Sequence, residues 1–236
     1  MNFAATVILI PTYNERENVL ALISRITDFM PDASVLVIDD NSPDGTGAAI
    51  RTLMAANSRV NLLSRPKKEG LGRAYLDAFR TVLRDNKVEW VVMMDADHSH
   101  DPQYLPAMRA VVDSSDIVIG SRYIRGGGTL GWELWRKLLS RYANVYCRII
   151  TGMPVADATA GFNMLRASFL RAVPLEKLSS SGYAFQIELK YLLHRHHARF
   201  AEVPIIFKER REGESKISRH IISEGLIAPW KMRFRR

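Results

Sequence analysis

Short apolar runs alternate with longer segments of helical periodicity from residue 5 to residue 120. The apolar runs predict buried strands, because a strand covered on both faces has no polar side with which to alternate. The longer segments carry apolar residues at every third or fourth position, which predicts amphipathic helices. The predicted strands are 5–10, 34–38, 60–63, 90–94 and 116–120. The predicted helices are 15–30, 46–56, 73–85 and 102–112. This regular alternation predicts an α/β fold with a doubly wound, mostly parallel sheet.

The pattern changes after residue 122. Residues 126–128 are all glycine, which predicts a flexible break. A helical apolar stripe follows, made of Trp132, Trp135, Leu138, Leu139, Tyr142, Val145, Tyr146 and Ile149. The other face of this helix holds Arg136, Lys137, Arg141 and Arg148. Such a helix fits an interfacial membrane helix, and it equally fits a helix packed on the core with a solvated basic face. Further on, the pattern predicts a helix over 184–196, two short strands within 200–207 and a helical segment from residue 218.

The composition is that of a globular protein, with 47% apolar and 25% charged residues in a chain of 236. The single cysteine, Cys147, excludes an internal disulfide framework and a cysteine-based zinc finger. No apolar run approaches the roughly 18 to 20 residues that cross a bilayer, and the first residues do not resemble a signal peptide. These features predict a cytosolic protein.

The net charge of +8 is concentrated in two segments. Residues 122–151 carry six basic residues against one acidic residue, and residues 206–236 carry nine against four. Two basic segments predict an anionic partner, such as phosphate groups, nucleic acid or an anionic membrane surface. An ordinary solvated basic face is the alternative. A nucleic acid is not an expected partner, because the sequence has neither an aromatic and basic platform nor a recognition-helix motif.

Polar side chains follow four of the predicted strands, where ligands of such sheets bind. Asp95 and Asp97 come directly after the strand 90–94. Two carboxylates at this spacing can both reach one divalent cation, and Mg²⁺ in such a site also binds substrate phosphates. Asp39 and Asp40 follow the strand 34–38 and could bind a ribose or a base edge, or could be acids of a turn.

The sequence lacks two common nucleotide-binding motifs, and its histidines do not suggest a metal site. The chain has no P-loop, and no Gly-x-Gly-x-x-Gly follows the first strand, which argues against a dinucleotide oxidoreductase. We interpret His194, His196 and His197 as a solvated or packing cluster. His98 and His100 lie beside the aspartate pair, where we expect them to position other groups rather than to bind a metal.

Taken together, the motifs resemble those of the dolichol-phosphate (polyprenol-phosphate) mannosyltransferases, inverting family 2 glycosyltransferases with the GT-A fold. The resemblance covers about residues 5–220. The motifs are residues 11–15, 38–46, 94–97, 120–123, 157–162 and 210–216. The first of them occur in many family 2 enzymes, whereas 157–162 and 210–216 are more specific to transfer onto polyprenyl phosphate. The chain departs from the family pattern at His98, where Leu is usual, and at Ala160, where Ser or Gly is frequent.

The resemblance implies a role for each matching residue. The implied nucleoside pocket is made of Pro11, Tyr13, Glu15, Ile38 and Asp40. The implied metal and diphosphate site is made of Asp95, Ala96, Asp97 and Ser99, with Mg²⁺ or Mn²⁺ as cofactor. The implied phosphate contacts are Arg122, Arg210 and Lys216, which with Asp97 form the expected catalytic set. Arg136 and Ser140 match positions that contact the acceptor phosphate together with Arg122.

The resemblance also implies the reaction, in which mannose passes from GDP-mannose to dolichyl or polyprenyl phosphate. We expect one catalytic domain over 1–236, with a nucleotide-sugar half at 1–122, an acceptor half at 123–217 and a basic tail at 218–236. We also expect peripheral contact with the cytoplasmic face of a membrane, with a separate anchoring protein as a possible partner. Two alternatives stay open: a glucosyltransferase that uses UDP-glucose, and a non-catalytic subunit that only binds nucleotide or lipid.

Overall fold

The computed structural model describes residues 3–180, 182, 184–209 and 219–234, with only the backbone in 219–224. Its strands are β1 (Thr6–Thr12), β2 (Ser34–Asp39), β3 (Val60–Ser64), β4 (Trp90–Met93), β5 (Ile117–Ser121), β6 (Gly128–Leu130), β7 (Asn163–Arg166), β8 (Phe200–Pro204) and β9 (Ile206–Lys208). Its α-helices are α1 (Arg16–Phe29), α2 (Thr46–Ala56), α3 (Leu71–Val82), α4 (Leu105–Ala110), α5 (Leu134–Thr151), α6 (Ala167–Ala172), α7 (Ala184–Arg195) and α8 (Arg219–Phe234).

Seven strands form one sheet in the order β3-β2-β1-β4-β7-β5-β8. Strands β3, β2, β1 and β4 are parallel to one another, and β5 is parallel to β8. Only β7 runs antiparallel to its neighbours, with Met164 opposite Val92 of β4 and Val118 of β5. The other two strands, β6 and β9, form a separate parallel pair. The α/β fold with a mostly parallel sheet is therefore confirmed.

The sheet is covered on both faces. One face packs against α1, α2 and α4 through a cluster that includes Leu22, Ile50 and Met108. The other face packs against α3, α5, α6, α7 and α8 through a cluster that includes Phe79 and Phe185. Coverage on both faces explains why all four residues of β4 and all five of β5 are buried.

Most predicted elements are confirmed within a few residues, and the differences have physical reasons. Strand β1 continues through Pro11 to Thr12, because its pairing with β4 ends at Leu9 and Pro11 therefore lies where β1 is paired on one side only, as in an edge strand. The glycines 126–128 are not simply a flexible break, since Gly128 begins β6 and pairs with Ile206. The sequence reasoning also missed β7, a strand of four residues whose two partners are far away in the sequence.

Candidate active site

The carboxyl ends of β1 and β2 form a polar rim in which Asp39 holds the turn. Its Oδ1 accepts hydrogen bonds from Ser42 Oγ at 2.5 Å and from Thr12 Oγ1 at 3.2 Å. Its Oδ2 accepts from the Ser42 backbone N–H at 3.2 Å. Asp39 is therefore the turn acid of the two aspartates.

Asp40 is held by a buried ion pair with Arg65, since both side chains are less than a tenth exposed. Arg65 is fixed in turn by Asp77, at 2.9 Å from its Nε, and by Glu69, at 3.2 Å from its Nη2. Burial raises the pKa of the Asp40 carboxyl, and the Arg65 charge and hydrogen bond oppose this effect. The ion pair thus orients Asp40 at the end of β2.

The other four residues of the expected nucleoside pocket surround Asp40. Pro11 pairs in register with Ile38, but Ile38 lies wholly within the core with no exposed surface, so the structure does not place it open to a ligand as expected. Tyr13 is 39% exposed, and Lys68 Nζ lies 4.0 Å from the centre of its ring. Glu15 accepts a hydrogen bond from Asn18 Nδ2 at 2.7 Å. Pro11, Tyr13 and Glu15 thus have surface at the rim, whereas Ile38 lies beneath it.

The loop after β4 carries the aspartate pair. The Asp95 backbone N–H donates to His100 Nδ1 at 3.0 Å, and the Ser99 N–H donates to Asp97 Oδ1 at 3.0 Å. His98 adopts a left-handed conformation with φ of 61°, which turns the chain between them. Ala96 is buried, and Ser99 is 2% exposed. The loop therefore curls back on itself and keeps both carboxylates on one short turn.

These residues fit a hard divalent cation. Ser99 Oγ is buried and has no hydrogen-bond partner among the described residues, so the loop holds an oxygen that is available to a ligand. Within the described part of the chain, no group of three or more His, Cys, Asp or Glu could hold a metal. Two carboxylates are nevertheless typical of Mg²⁺, which keeps water and substrate phosphates as its other ligands. The donor set thus suits a metal that arrives with a diphosphate.

His100 joins this loop to the 157–162 segment. Its ring stacks on Phe162 with a centroid distance of 5.1 Å, and its Nε2 lies 3.9 Å from Asp95 Oδ2. A Cβ added to Gly161 would lie 3.1 Å from the His100 ring, so only glycine packs there without displacing the histidine. The expected positioning role of His100 agrees with these contacts, because Nδ1 is occupied by a backbone N–H.

Arg122, directly after β5, is bound by Asp157 of the same segment. Arg122 Nε donates to Asp157 Oδ2 at 2.8 Å, and Nη2 donates to Asp157 Oδ1 and to Thr159 Oγ1, both at 2.7 Å. Burial acts to raise the pKa of Asp157, but the charge and hydrogen bonds of Arg122 outweigh it and the pKa is lowered. This bidentate pair fixes Arg122 at the carboxyl end of β5.

Arg136 and Ser140, on the first turns of α5, lie on the same side of the site as Arg122. Trp132 connects the two arginines, since its ring centre is 5.6 Å from the Arg122 guanidinium and 4.1 Å from that of Arg136. Arg136 Nη1 also pairs with Glu209 Oε1 at 2.6 Å. Burial raises the pKa of Tyr123, against the opposing effect of the Arg122 charge. Asn144 Nδ2 donates to the Ser140 carbonyl at 2.9 Å and to Thr159 Oγ1 at 3.1 Å, and the same Thr159 hydroxyl accepts from Arg122. The structure therefore brings Arg122, Arg136 and Ser140 together, whereas Arg210 and Lys216 lie outside the described residues.

The apolar stripe of α5 is exposed. The buried residues of this helix are Asn144, Cys147, Ile150 and Thr151. The exposed apolar residues of α5 are Leu134, Trp135, Leu138, Leu139, Tyr142, Val145 and Ile149. Those of α8 are Leu226, Ile227, Trp230 and Phe234. We call these eleven residues the α5–α8 apolar surface. Because most of the apolar stripe of α5 is exposed, the structure excludes the alternative in which this stripe packs on the core.

The two helices of this surface are joined by Tyr146. Its hydroxyl donates to the Leu226 carbonyl at 2.8 Å and accepts from Trp230 Nε1 at 2.8 Å. None of the helices that the structure describes has the length and apolar character needed to span a bilayer.

Comparison with known proteins identifies the class. The profile of glycosyl transferase family 2 matches residues 7–173, and the chain belongs to this family. The fold agrees with that of solved GT-A glycosyltransferases. Glucosyl-3-phosphoglycerate synthase from Mycobacterium tuberculosis superimposes with a TM-score of 0.64 at 18% identity, over 97% of this chain and 79% of that one.

Two curated relatives are similar over nearly the whole chain. The undecaprenyl-phosphate mannosyltransferase of Micrococcus luteus is 42% identical over 219 residues, which cover 93% of this chain and 90% of the relative. The polyprenol monophosphomannose synthase of Mycolicibacterium smegmatis is 42% identical over 234 residues, which cover 98% and 88%. The resemblance to polyprenol-phosphate mannosyltransferases is therefore confirmed.

Proposed function

We propose that this protein transfers mannose, with inversion, from GDP-mannose to the phosphate of a polyprenyl or dolichyl phosphate. The observation that carries this proposal is the continuity of the site. The aspartate loop contacts Gly161 through His100, and Asp157 of the same segment binds Arg122. The loop that we propose for the donor diphosphate and the arginine that we propose for the second phosphate thus belong to one connected set of contacts. The printed names of both curated relatives support the lipid acceptor and the sugar.

On the donor side, Asp40, Tyr13 and Glu15 would contact the nucleoside, with Pro11 beside them and the buried Ile38 supporting the pocket from the core. Asp95 and Asp97 would hold Mg²⁺ or Mn²⁺ beside the diphosphate, with Ala96 and Ser99 at the same turn. The bound metal would neutralise the charge that develops on the departing nucleotide. A solved structural neighbour bound to Mn²⁺ and UDP supports this assignment at the level of the shared fold.

On the acceptor side, the nucleophile needs no strong base. A phosphate monoester has its second pKa near ~6, so its oxygen is already largely ionised at neutral pH. The site therefore has to orient two anionic groups and reduce their repulsion, and the charges of Arg122 and Arg136 lie where this is needed. Glu209 must release Arg136 when the acceptor phosphate binds. Arg210 and Lys216 complete the proposed set.

The α5–α8 apolar surface would dock the protein on the lipid that carries the acceptor. Its eleven residues are apolar or aromatic, and the exposed basic residues beside them are Arg141, Arg148, Lys231 and Arg233. Indole rings and basic side chains favour the headgroup layer of an anionic membrane. We propose peripheral binding to the cytoplasmic leaflet.

The experiment measures radiolabelled sugar that enters organic-extractable lipid from polyprenyl phosphate, detergent and Mg²⁺ or Mn²⁺. Parallel reactions contain GDP-mannose, UDP-glucose, or GDP-mannose with EDTA. We expect label from GDP-mannose alone, and none with EDTA. Label from UDP-glucose instead would keep the reaction and replace the donor. No label from either donor, with nucleotide still bound, would overturn the proposal in favour of a non-catalytic subunit or one that needs an anchoring partner.

A further inference from the structure

Lys190 is a buried lysine outside the groups considered so far. It lies on α7 with no exposed surface. Its Nζ donates to the Ala160 carbonyl at 2.6 Å and to the Gln186 carbonyl at 3.4 Å. Among the described residues, both hydrogen-bond acceptors of this ammonium are therefore main-chain oxygens, and neither is a carboxylate.

Burial of this ammonium is costly for the fold. Transfer of an ammonium from water to a protein interior remains unfavourable even after the surroundings relax. Desolvation lowers the pKa of Lys190 to about 7, while Asp157 and Glu202 act to raise it and Arg122 acts to lower it. An apolar side chain of the same length would fill the space without this cost. Core packing alone therefore does not explain a lysine here.

The carbonyl that Lys190 holds lies between the two halves of the site. Thr159, the preceding residue, accepts a hydrogen bond from Arg122. Gly161, the following residue, packs against His100 and Asp95. A rotation of the peptide at Ala160 would therefore move both contacts at once.

The charges around Lys190 form a balanced set. Asp157 is paired with Arg122, and Glu202 accepts hydrogen bonds from the Ala156 and Asp157 backbone N–H groups at 2.7 and 3.1 Å. When Lys190 is protonated, Arg122 and Lys190 supply two positive charges against the two carboxylates. Loss of the Lys190 charge would leave this buried set with an excess negative charge beside the proposed phosphate site.

We propose that Lys190 is a positioning residue for the transfer site: its hydrogen bond to the Ala160 carbonyl fixes the 157–161 segment, and so sets Arg122 and the Asp95–His100 contact together. This inference rests on the function proposed above. Lys190 does not touch substrate, and it acts through Ala160.

The test compares Lys190→Met, which keeps the length and removes the charge and the donor, with Leu189→Ala. Leu189 is a buried neighbour on the same helix, and its truncation destabilises the fold but keeps the Lys190 hydrogen bond to the Ala160 carbonyl. We expect Lys190→Met to lower kcat by about tenfold or more, because Arg122 and Asp95 are then no longer held in place by one segment. We expect Leu189→Ala to lower the melting temperature and to leave kcat near that of the wild type.

A second readout does not depend on transfer activity. Hydrogen exchange of the peptide that spans 157–161 should be faster in Lys190→Met than in the wild type and in Leu189→Ala. Unchanged exchange, or a wild-type kcat in Lys190→Met, would overturn the inference. A wild type without transfer activity would instead contradict the proposed function, and the exchange measurement would still decide the role of Lys190.

Discussion

Asp157 accepts two side-chain hydrogen bonds from Arg122, at 2.8 and 2.7 Å, while its own side chain has no exposed surface. The two residues are 35 positions apart, and their pairing joins the end of β5 to the 157–162 segment. This contact turns two separate sequence motifs into one structural unit.

Asp157→Asn should weaken both the fold and the site. The substitution leaves the buried Arg122 charge without its partner, which costs about 3 kcal/mol or more of unfolding free energy. We also expect kcat to fall, because Arg122 is then free to leave its position. Urea unfolding and the transfer assay measure the two effects.

Asp116→Asn is the matched control, since Asp116 precedes the same strand at its other end and is bound by Arg166 and Arg199. This variant should lose stability and keep kcat. Equal losses of kcat in the two variants would show that the effect of Asp157→Asn is one of stability alone.

Asp97→Ala should abolish transfer with little effect on folding. Asp97 lies on a partly exposed turn, where it accepts a hydrogen bond from the Ser99 backbone N–H, so its loss costs little stability. The reason for the loss is the missing metal ligand. Transfer at saturating Mg²⁺ and the melting temperature are the measurements. Asp113→Ala, at an exposed position, is the control. Activity of Asp97→Ala near that of the wild type would disprove the metal assignment.

Trp135 and Trp230 should matter for membrane binding, and Trp132 should not. The sequence pattern placed both Trp132 and Trp135 on the apolar stripe that could contact a membrane. In the structure, Trp132 instead packs between Arg122 and Arg136, with its ring centre 5.5 Å from that of Phe207. Trp135 is 55% exposed. Burial of an aromatic side chain contributes about 1.5–3 kcal/mol, so Trp135→Ala with Trp230→Ala should reduce the fraction bound to anionic vesicles by tenfold or more.

Sedimentation with vesicles of anionic lipid measures this effect, with Trp132→Ala as the control. Trp132→Ala should sediment like the wild type and should lose transfer activity. If the double variant sediments as the wild type does, the α5–α8 apolar surface is not the membrane contact, and a protein partner becomes the occupant to look for.

Lys190 should give the stability of the protein a characteristic pH dependence. Its pKa falls from the ordinary 10.5 to about 7 on folding, so between these values the unfolded chain binds more protons than the folded protein. Stability due to this group therefore rises as pH increases from about 7 to about 10. Over this range, the unfolding free energy of the wild type should therefore rise relative to that of Lys190→Met. Parallel curves for the two proteins would contradict the lowered pKa.

The sheet was predictable because its strands are covered on both faces. The run from Trp90 to Met93 has no polar residue, and the Asp95–Asp97 pair follows it at once, so strand and candidate site could be recognised locally. Strand β7 could not be predicted in this way, since its place between β4 and β5 depends on pairing with residues far away in the sequence.

The supports of the site were also not evident from the sequence. A lysine within a helix ordinarily predicts a solvated position, and no local pattern distinguishes Lys190 from such a residue. The Arg65–Asp40 pair likewise joins two segments that only the fold brings together. The residue types of the site were predictable from motifs, whereas the contacts that orient them depend on tertiary packing.

The most direct test of the central claim compares polyprenyl phosphate with polyprenol as acceptor of mannose from GDP-mannose. The two lipids differ only in the phosphate that we propose as the nucleophile, and the site offers basic side chains for it rather than a strong base. We expect metal-dependent product with polyprenyl phosphate and none with polyprenol. Equal transfer to polyprenol, or no transfer to the phosphate, would contradict the proposed reaction.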